Sequence, residues 1–239
     1  MKDLIQDMIE HTHALGVIDL LKVTGDDKET SISGLATDRS VVVQGTFSEP
    51  VPEFEGTFGL PNLNTLKTII GIDEYKNDAN ITVKSGSNGP EHMRFENASG
   101  DFSNDYRFMT QSIVDEMIKT VKFKGATWNV ELEPNVAAIQ RLKYQAAANS
   151  AETTFQATTK DGNLVFSLGD HSSHSGEFIF EHDVVGELKR DWHWPIQHVI
   201  NILSLAGDKT MKISDDGATE ITVNSGVCEY TYILPAQSK

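Results

Sequence analysis

Four side chains of the second half are of the types a metal ion would take: Asp170, His171, His174 and His182. Carboxylate and imidazole are zinc-type ligands, and several converging would make a site. Their setting argues for something plainer. The stretch "GDHSSHSG" (169–176) is rich in turn formers and reads as a polar loop between strands. His193 and His198 flank the start of a short helix, which suits an outward-facing role better than acid–base catalysis. The acid pairs Asp26–Asp27 and Asp215–Asp216 each adjoin a glycine and read as hairpin punctuation. Cys228 is the only cysteine, which excludes an internal disulfide and a cysteine-based zinc site and fits a reducing, cytoplasmic setting. No Walker A loop, GxSxG elbow or zincin helix occurs. The expectation is a protein without catalytic centre, metal or other cofactor, hence not an enzyme.

The whole-chain balance points the same way. The chain has 239 residues, 35 acids against 20 bases, and a formal net charge of −15. On average that favours solubility and disfavours nucleic acid. Charges are screened over about 8 Å, however, so a local basic face can still act. No apolar run approaches the roughly 20 residues of a membrane span, and no membrane role is expected. The opening "MKDLIQDMIEHTH" lacks an apolar stretch and does not read as a signal peptide.

The elements that must position any site come in two matching sets. Residues 2–15 predict a helix with Leu4, Ile5, Met8 and Leu15 on one face and Asp3, Gln6, Asp7, Glu10 and His13 on the other. Alternating strands follow at 17–23, 29–36 and 39–47, with a short candidate at 52–59. The segment "PNLNTLKTIIG" (61–71) is a proline-led amphipathic helix, and strands at 79–85, 91–97 and 104–109 follow. The second half repeats the order. It has a strand at 126–133, a helix opened by Pro134, strands at 153–159, 163–169 and 177–183, a second proline-led helix over 196–206, and strands at 210–215, 219–225 and 228–234. Pro195 lies 134 positions after Pro61. A repeat near half the chain length means a duplicated domain rather than a solenoid of short units. The expected division is 1–109, a connector over 110–125, and 126–239.

Three helices share an unusual outer face. At 100° per residue, Val136, Ile139, Leu142 and Ala146 form the buried stripe of the third helix. Arg141, Tyr144, Gln145 and Ala148 lie opposite, with Lys143 beside the stripe and able to reach outward. The last helix buries Ile196, Val199, Ile200 and Leu203 and presents Gln197, His198 and Asn201. The first proline-led helix buries Leu63, Leu66 and Ile70 and exposes Asn64 and Thr68, with Lys67 at the margin. None of these outer faces holds an acid, on a chain where acids outnumber bases. Such faces suit a polyanion.

The order and length of these elements resemble the DNA sliding clamps, most closely the processivity clamps of T-even-like tailed bacteriophages. The resemblance covers almost the whole chain. It shows best in the N-terminal helix, "EFEGTFGLPNLNTLKTIIGI", "YRFMTQSIVDEMI", "VELEPNVAAIQRLKYQ" and "ATEITVNSGVCEYTYILPA". It implies an α+β DNA-clamp fold: two similar domains, each with two helices on one face of antiparallel sheets, assembling as a homotrimeric ring with helices lining the hole. It further implies a clamp placed on double-stranded DNA by an ATP-driven clamp loader. Such a clamp tethers the replicative DNA polymerase in the host cytoplasm without reading sequence.

By that similarity, Asn64, Lys67, Lys122, Lys124, Arg141, Lys143, Gln145, Gln197, His198 and Asn201 would face DNA. The exposed acids of the first helix, Asp3, Asp7 and Glu10, depart from the pattern. Ring closure would pair Tyr106 and Phe108 with Phe178 and Phe180 of a neighbour, the other reading being that these aromatics pack inside their own domains. A partner peptide would enter a pocket formed by Ile113, Val114, Met117 and Ile118 with Ile233, Leu234 and Pro235, residues that equally suit a satellite core. From another class, the alternative is a duplicated β-rich structural or adaptor protein of a phage particle with no DNA inside.

Overall fold

The computed structural model describes residues 1–86, 89–118, 125–170 and 174–237. The chain divides into two compact units, Met1–Lys122 with Asn224–Tyr230, and Phe123–Val223 with Thr231–Lys239.

The first unit opens with α1 (Lys2–His11) and a 3-10 turn, His13–Leu15. Strands β1 (Leu20–Gly25), β2 (Thr30–Leu35), β3 (Val42–Phe47) and β4 (Gly56–Pro61) follow. Helix α2 (Leu63–Ile70) leads to β5 (Asn80–Gly86), β6 (Gly89–Glu96) and β7 (Ser103–Arg107), then the two-residue β8 (Met109–Thr110) and helix α3 (Gln111–Met117). Strand order is β8-β4-β1-β2-β3 in one sheet segment and β5-β6-β7 in the other. The register sets Leu21 opposite Gly34 and Val23 opposite Ile32, so the buried set of each strand shares one face. This is the alternation expected of an antiparallel sheet with one face on a core.

The second unit runs β9 (Val130–Leu132), α4 (Val136–Ala148), β10 (Thr154–Lys160), β11 (Asn163–Leu168), β12 (Gly176–Glu181), β13 (His193–Pro195), α5 (Ile196–Leu203), β14 (Asp208–Ser214), β15 (Ala218–Asn224) and β16 (Cys228–Pro235), the start of β16 through Tyr230 belonging with the first unit. Strand order is β13-β10-β11-β12, matching β4-β1-β2-β3, and β16-β15-β14-β9, matching β7-β6-β5 with one strand added. In the first unit α1 packs on α2, and in the second α4 packs on α5. The duplication seen in the sequence is therefore a duplication of topology.

Several local expectations change. Helix α1 stops at His11, because Thr12 leaves helical geometry (φ −127°, ψ −69°) and its hydroxyl turns back to the Met8 carbonyl at 2.6 Å. Each short helix is preceded by four strands, since β13 also runs into its proline. Three residues long, β13 offers no periodicity to read. In α4, Val136 is 84% exposed, while Ala138 is buried. Val136 is the first helical residue after the Asn135 cap, whose side chain accepts from the Ala138 amide at 2.8 Å, and it points off the packed face. In α5 the stripe is Ile196, Val199, Ile202 and Leu203, and Ile200 is only half-buried. Among the described residues, no helix is long and apolar enough to cross a membrane.

Candidate functional site

The outer faces of three helices hold most of the residues of interest. On α2, burial of Leu63, Leu66, Ile69 and Ile70 leaves Asn64, Lys67 and Thr68 exposed. On α4, Arg141 and Tyr144 are exposed, while Lys143 is half-buried. On α5, Gln197 is exposed and donates to Asn201 Oδ1 at 2.6 Å, with His198 and Asn201 half-buried. No acid stands on any of the three helices.

Two residues expected on the open face are held by the sheet beside it. Gln145 is half-buried against β12, where a Cβ on Gly176 would overlap its amide oxygen. Arg141 Nη1 donates to the Ile179 carbonyl of β12 at 3.3 Å. Both are tied down because glycine at 176 lets helix and strand approach closely. Lys122 and Lys124 lie outside the described residues.

Helix α1 differs from its sequence reading at one acid. Asp3 and Glu10 are exposed, but the Asp7 side chain is only 13% exposed. Its Oδ2 accepts from Tyr230 Oη at 2.7 Å and from Ser225 Oγ at 3.0 Å. His11 Nδ1 donates to the Asp7 carbonyl at 2.9 Å, lies 3.3 Å from its carboxylate, and stacks its ring on Tyr230 at 4.6 Å. Burial holds both the Tyr230 hydroxyl and the nearby Cys228 thiol above their ordinary ranges, the thiol up to about 12. Asp7 is thus an internal acceptor, which the helical wheel could not show because its partners lie over 200 residues away.

The apolar residues of the connector separate into two roles. Val114 is fully buried, against the glycine at position 59 of β4, and Ile118 is nearly so. Ile113 and Met117 are exposed, Met117 by 58%. Met117 and Ile118 line a cleft of about 520 Å³ with Leu20, Leu35, Ala36 and Pro61. Those last four were not read from the sequence, where they look like ordinary strand residues. The Lys22–Asp115 ion pair at 2.6 Å helps fix α3 beside β1. In the second unit Leu234 is fully buried, Ile233 half-buried and Pro235 exposed. Val114 and Leu234 are core residues rather than pocket walls.

The aromatic strands also need correction. Strands β7 and β12 each end a sheet segment. Tyr106 and Phe180 are buried, and Tyr106 donates to the Pro61 carbonyl. Phe178 and Phe180 surround Phe166, with Phe180 stacked on it at 4.3 Å. Phe108 stacks on Phe58 at 4.5 Å. These side chains pack inside their own units. What the two edges offer to another molecule is backbone, plus the alternate residues Asp105 and Arg107 on one and Glu177 and Ile179 on the other.

Among the described residues, the histidines and acids of the second half do not form a centre. His182 Nδ1 lies 3.0 Å from Asn163 Oδ1, and His171 falls outside the described residues. Asp215 accepts from the backbone amides of Lys189 and Arg190 at 3.0 and 3.2 Å, a structural staple. Among the described residues, no three His, Cys, Asp or Glu are grouped to hold a metal.

Among the solved structures that match over nearly the full length are two clamps. One is A. fulgidus PCNA bound to the C-terminal region of FEN-1, with TM-score 0.73, 11% identity, and coverage of 100% of this chain and 97% of that one. The other is PCNA from Thermococcus kodakaraensis, with TM-score 0.66, 12% identity, and coverage of 99% and 95%. The chain has the PCNA clamp fold. No protein-family model matches it, and no curated protein matches it in sequence. At this identity the clamp fold is carried by topology and burial pattern, not by shared residues. The fold match spans both units, so the repeated strand order is that of the clamp fold as a whole.

Proposed function

We propose that the chain is the subunit of a ring-shaped sliding clamp that encircles duplex DNA and gives a DNA polymerase processivity. The observation that carries this reading is the acid-free outer face of α2, α4 and α5 on a chain of net charge −15. Modest charge suffices for this task. Phosphate contacts weaken steeply with salt and carry no sequence information. A closed ring stays on DNA by topology, so weak contacts permit sliding where tight ones would arrest it.

On this reading Asn64, Lys67, Arg141, Lys143, Gln197, His198 and Asn201 face the phosphates. Three copies close head to tail, a contact type that generates rings. The edges of β7 and β12 pair between copies, which would cover two strands otherwise open to aggregation. The polymerase and an ATP-driven loader dock at the cleft beside Met117 and Ile118. The kinship with phage clamps, and with it action in the host cytoplasm, rests on the sequence resemblance.

The test is a polymerase assay on primed circular DNA with cognate polymerase and loader. Longer products on adding the protein support the clamp, and unchanged length refutes it. Mass in solution is the companion measurement: a defined trimer of 26.4 kDa chains is expected, and a strict monomer counts against the ring.

A further inference from the structure

The two open strand edges can be aligned through a pair of strands that is already joined. In the first unit the edge of β3 is covered by the start of β16. The Ser48 amide donates to the Val227 carbonyl at 2.9 Å, and a Cβ on Gly45 would lie 3.0 Å from Cys228 Sγ. Strand β3 thus runs toward Val227 and β16 runs back beside it, an antiparallel pair with Ser48 opposite Val227. The repeat carries this register to the open edges. Counting across each sheet from Pro61 and Pro195, Leu21 matches Phe155, Gly34 matches Leu168 and Val43 matches Gly176, so β12 is β3 displaced by 133 residues (176 − 43 = 133). On β7, "DYRFM" (105–109) answers "EYTYI" (229–233) of β16, a displacement of 124 (230 − 106 = 124), with Tyr106 and Tyr230 both buried. Ser48 and Val227 then become Glu181 and Ser103. In that register Asp105 stands opposite Ile179, and Arg107 opposite Glu177.

Charge selects the same register by a separate route. Arg107 and Glu177 are both exposed, and Arg107 has no ion-pair partner among the described residues. Glu177 Oε2 accepts from Lys160 at 2.6 Å and from Ser167 at 3.1 Å, which holds its carboxylate on the outer face of the sheet. Asp105 is matched already, by Arg94 at 3.3 Å. Opposite charges across a strand pair stabilise it, and like charges directly opposite destabilise it. A slip of two residues either way would bring Asp105 opposite Glu177 or Glu181. A slip of one would set the buried Tyr106 against the solvent side of β12.

We infer that β7 of one copy joins β12 of the next in this one register, and that an ion pair between Arg107 and Glu177 selects it. The inference rests on the ring reading, which names the two edges but not their alignment. The aromatic side chains cannot choose the alignment, because they pack inside their own units. Backbone hydrogen bonds cannot choose it either, since they form equally well after a slip of two residues. The exposed charges are what differ between one alignment and the next.

The test is disulfide formation between copies. Residues directly opposite have Cα atoms about 5.5 Å apart, within disulfide reach, whereas residues offset by two lie about 7–8 Å apart, mostly beyond it. Under mild oxidation D105C/I179C should give covalent trimers on a non-reducing gel. D105C/E177C and D105C/E181C should crosslink at least about tenfold more slowly. The parent, whose one cysteine is buried, is the blank. In a second arm, R107E sets like charges opposite and should raise the dissociation constant of the assembly roughly tenfold. R107E/E177K restores opposite signs and should assemble more tightly than R107E. Faster crosslinking of either offset pair, or no gain of R107E/E177K over R107E, overturns the inference and leaves the ring reading standing. A parent that is a strict monomer, or a trimer in which none of the three pairs crosslinks, overturns it as well. The polymerase assay then separates the two readings: longer products keep the clamp, and unchanged length removes it too.

Discussion

Replacing Asp7 by alanine tests the placement of the first helix most directly. Its carboxylate takes hydrogen bonds from Tyr230 at 2.7 Å and Ser225 at 3.0 Å while almost wholly removed from solvent. Hydrogen bonds to a charged group contribute about 1.5–3 kcal/mol each, and a donor stripped of its buried acceptor bears a desolvation cost. The two bonds share one carboxylate and are not additive, so the expected loss is about 3 kcal/mol. On a chain of this size that is a fall of about 6–12 °C in melting temperature. Asp7→Asn keeps one acceptor oxygen and should lose less. Asp3→Ala and Glu10→Ala, both exposed, should stay within about 0.5 kcal/mol of the parent. The assay is urea unfolding followed by far-UV circular dichroism. A double-mutant cycle with Tyr230→Phe should show coupling of at least about 1 kcal/mol. If Asp7→Ala matches Asp3→Ala, or the cycle is additive, Asp7 is a surface acid and the reasoning fails.

Other expectations follow from the same geometry. Burial raises the Cys228 thiol from its ordinary 9.0 to about 12. The unfolded thiol ionises first, so its contribution to stability is intact below about pH 9 and drains away as pH rises towards 12. Relative to Cys228→Ala, the parent should lose about 1 kcal/mol between pH 9 and pH 10, measured by unfolding at each pH; a constant difference contradicts the burial argument. At Gly186, φ is 98° and a Cβ would overlap the Asn129 carbonyl oxygen. Gly186→Ala should therefore cost about 3 kcal/mol, against about 1 kcal/mol for Gly16→Ala, where φ is 81° but no atom lies near; equal urea midpoints would refute this. Lys67→Glu with Arg141→Glu should shorten polymerase products while leaving trimer mass unchanged. Loss of the trimer would place Arg141, already bonded to β12, in the contact between copies.

The sequence alone determined what depends on short-range pattern. Strand alternation and the 3.6-residue stripe of α2 placed nearly every long element, because residues two or four apart must share a face whatever the rest of the chain does. The recurrence of proline, short helix and strands gave the duplication. The absence of acids from three helices is a statement about letters, legible before any fold. Tertiary structure decided which way borderline residues turn. Asp7 looks exposed on a helical wheel until Ser225 and Tyr230, more than 200 positions away, arrive to bond it. Tyr106 and Phe180 look like an adhesive edge until each unit closes around them. The cleft beside Met117 draws on β1, β2 and β4 as well as the connector, a convergence no local window contains. Arg107 and Glu177 come to stand at open sheet edges only when strand order leaves β7 and β12 at the ends, since order and register are properties of pairing between segments and not of any segment by itself.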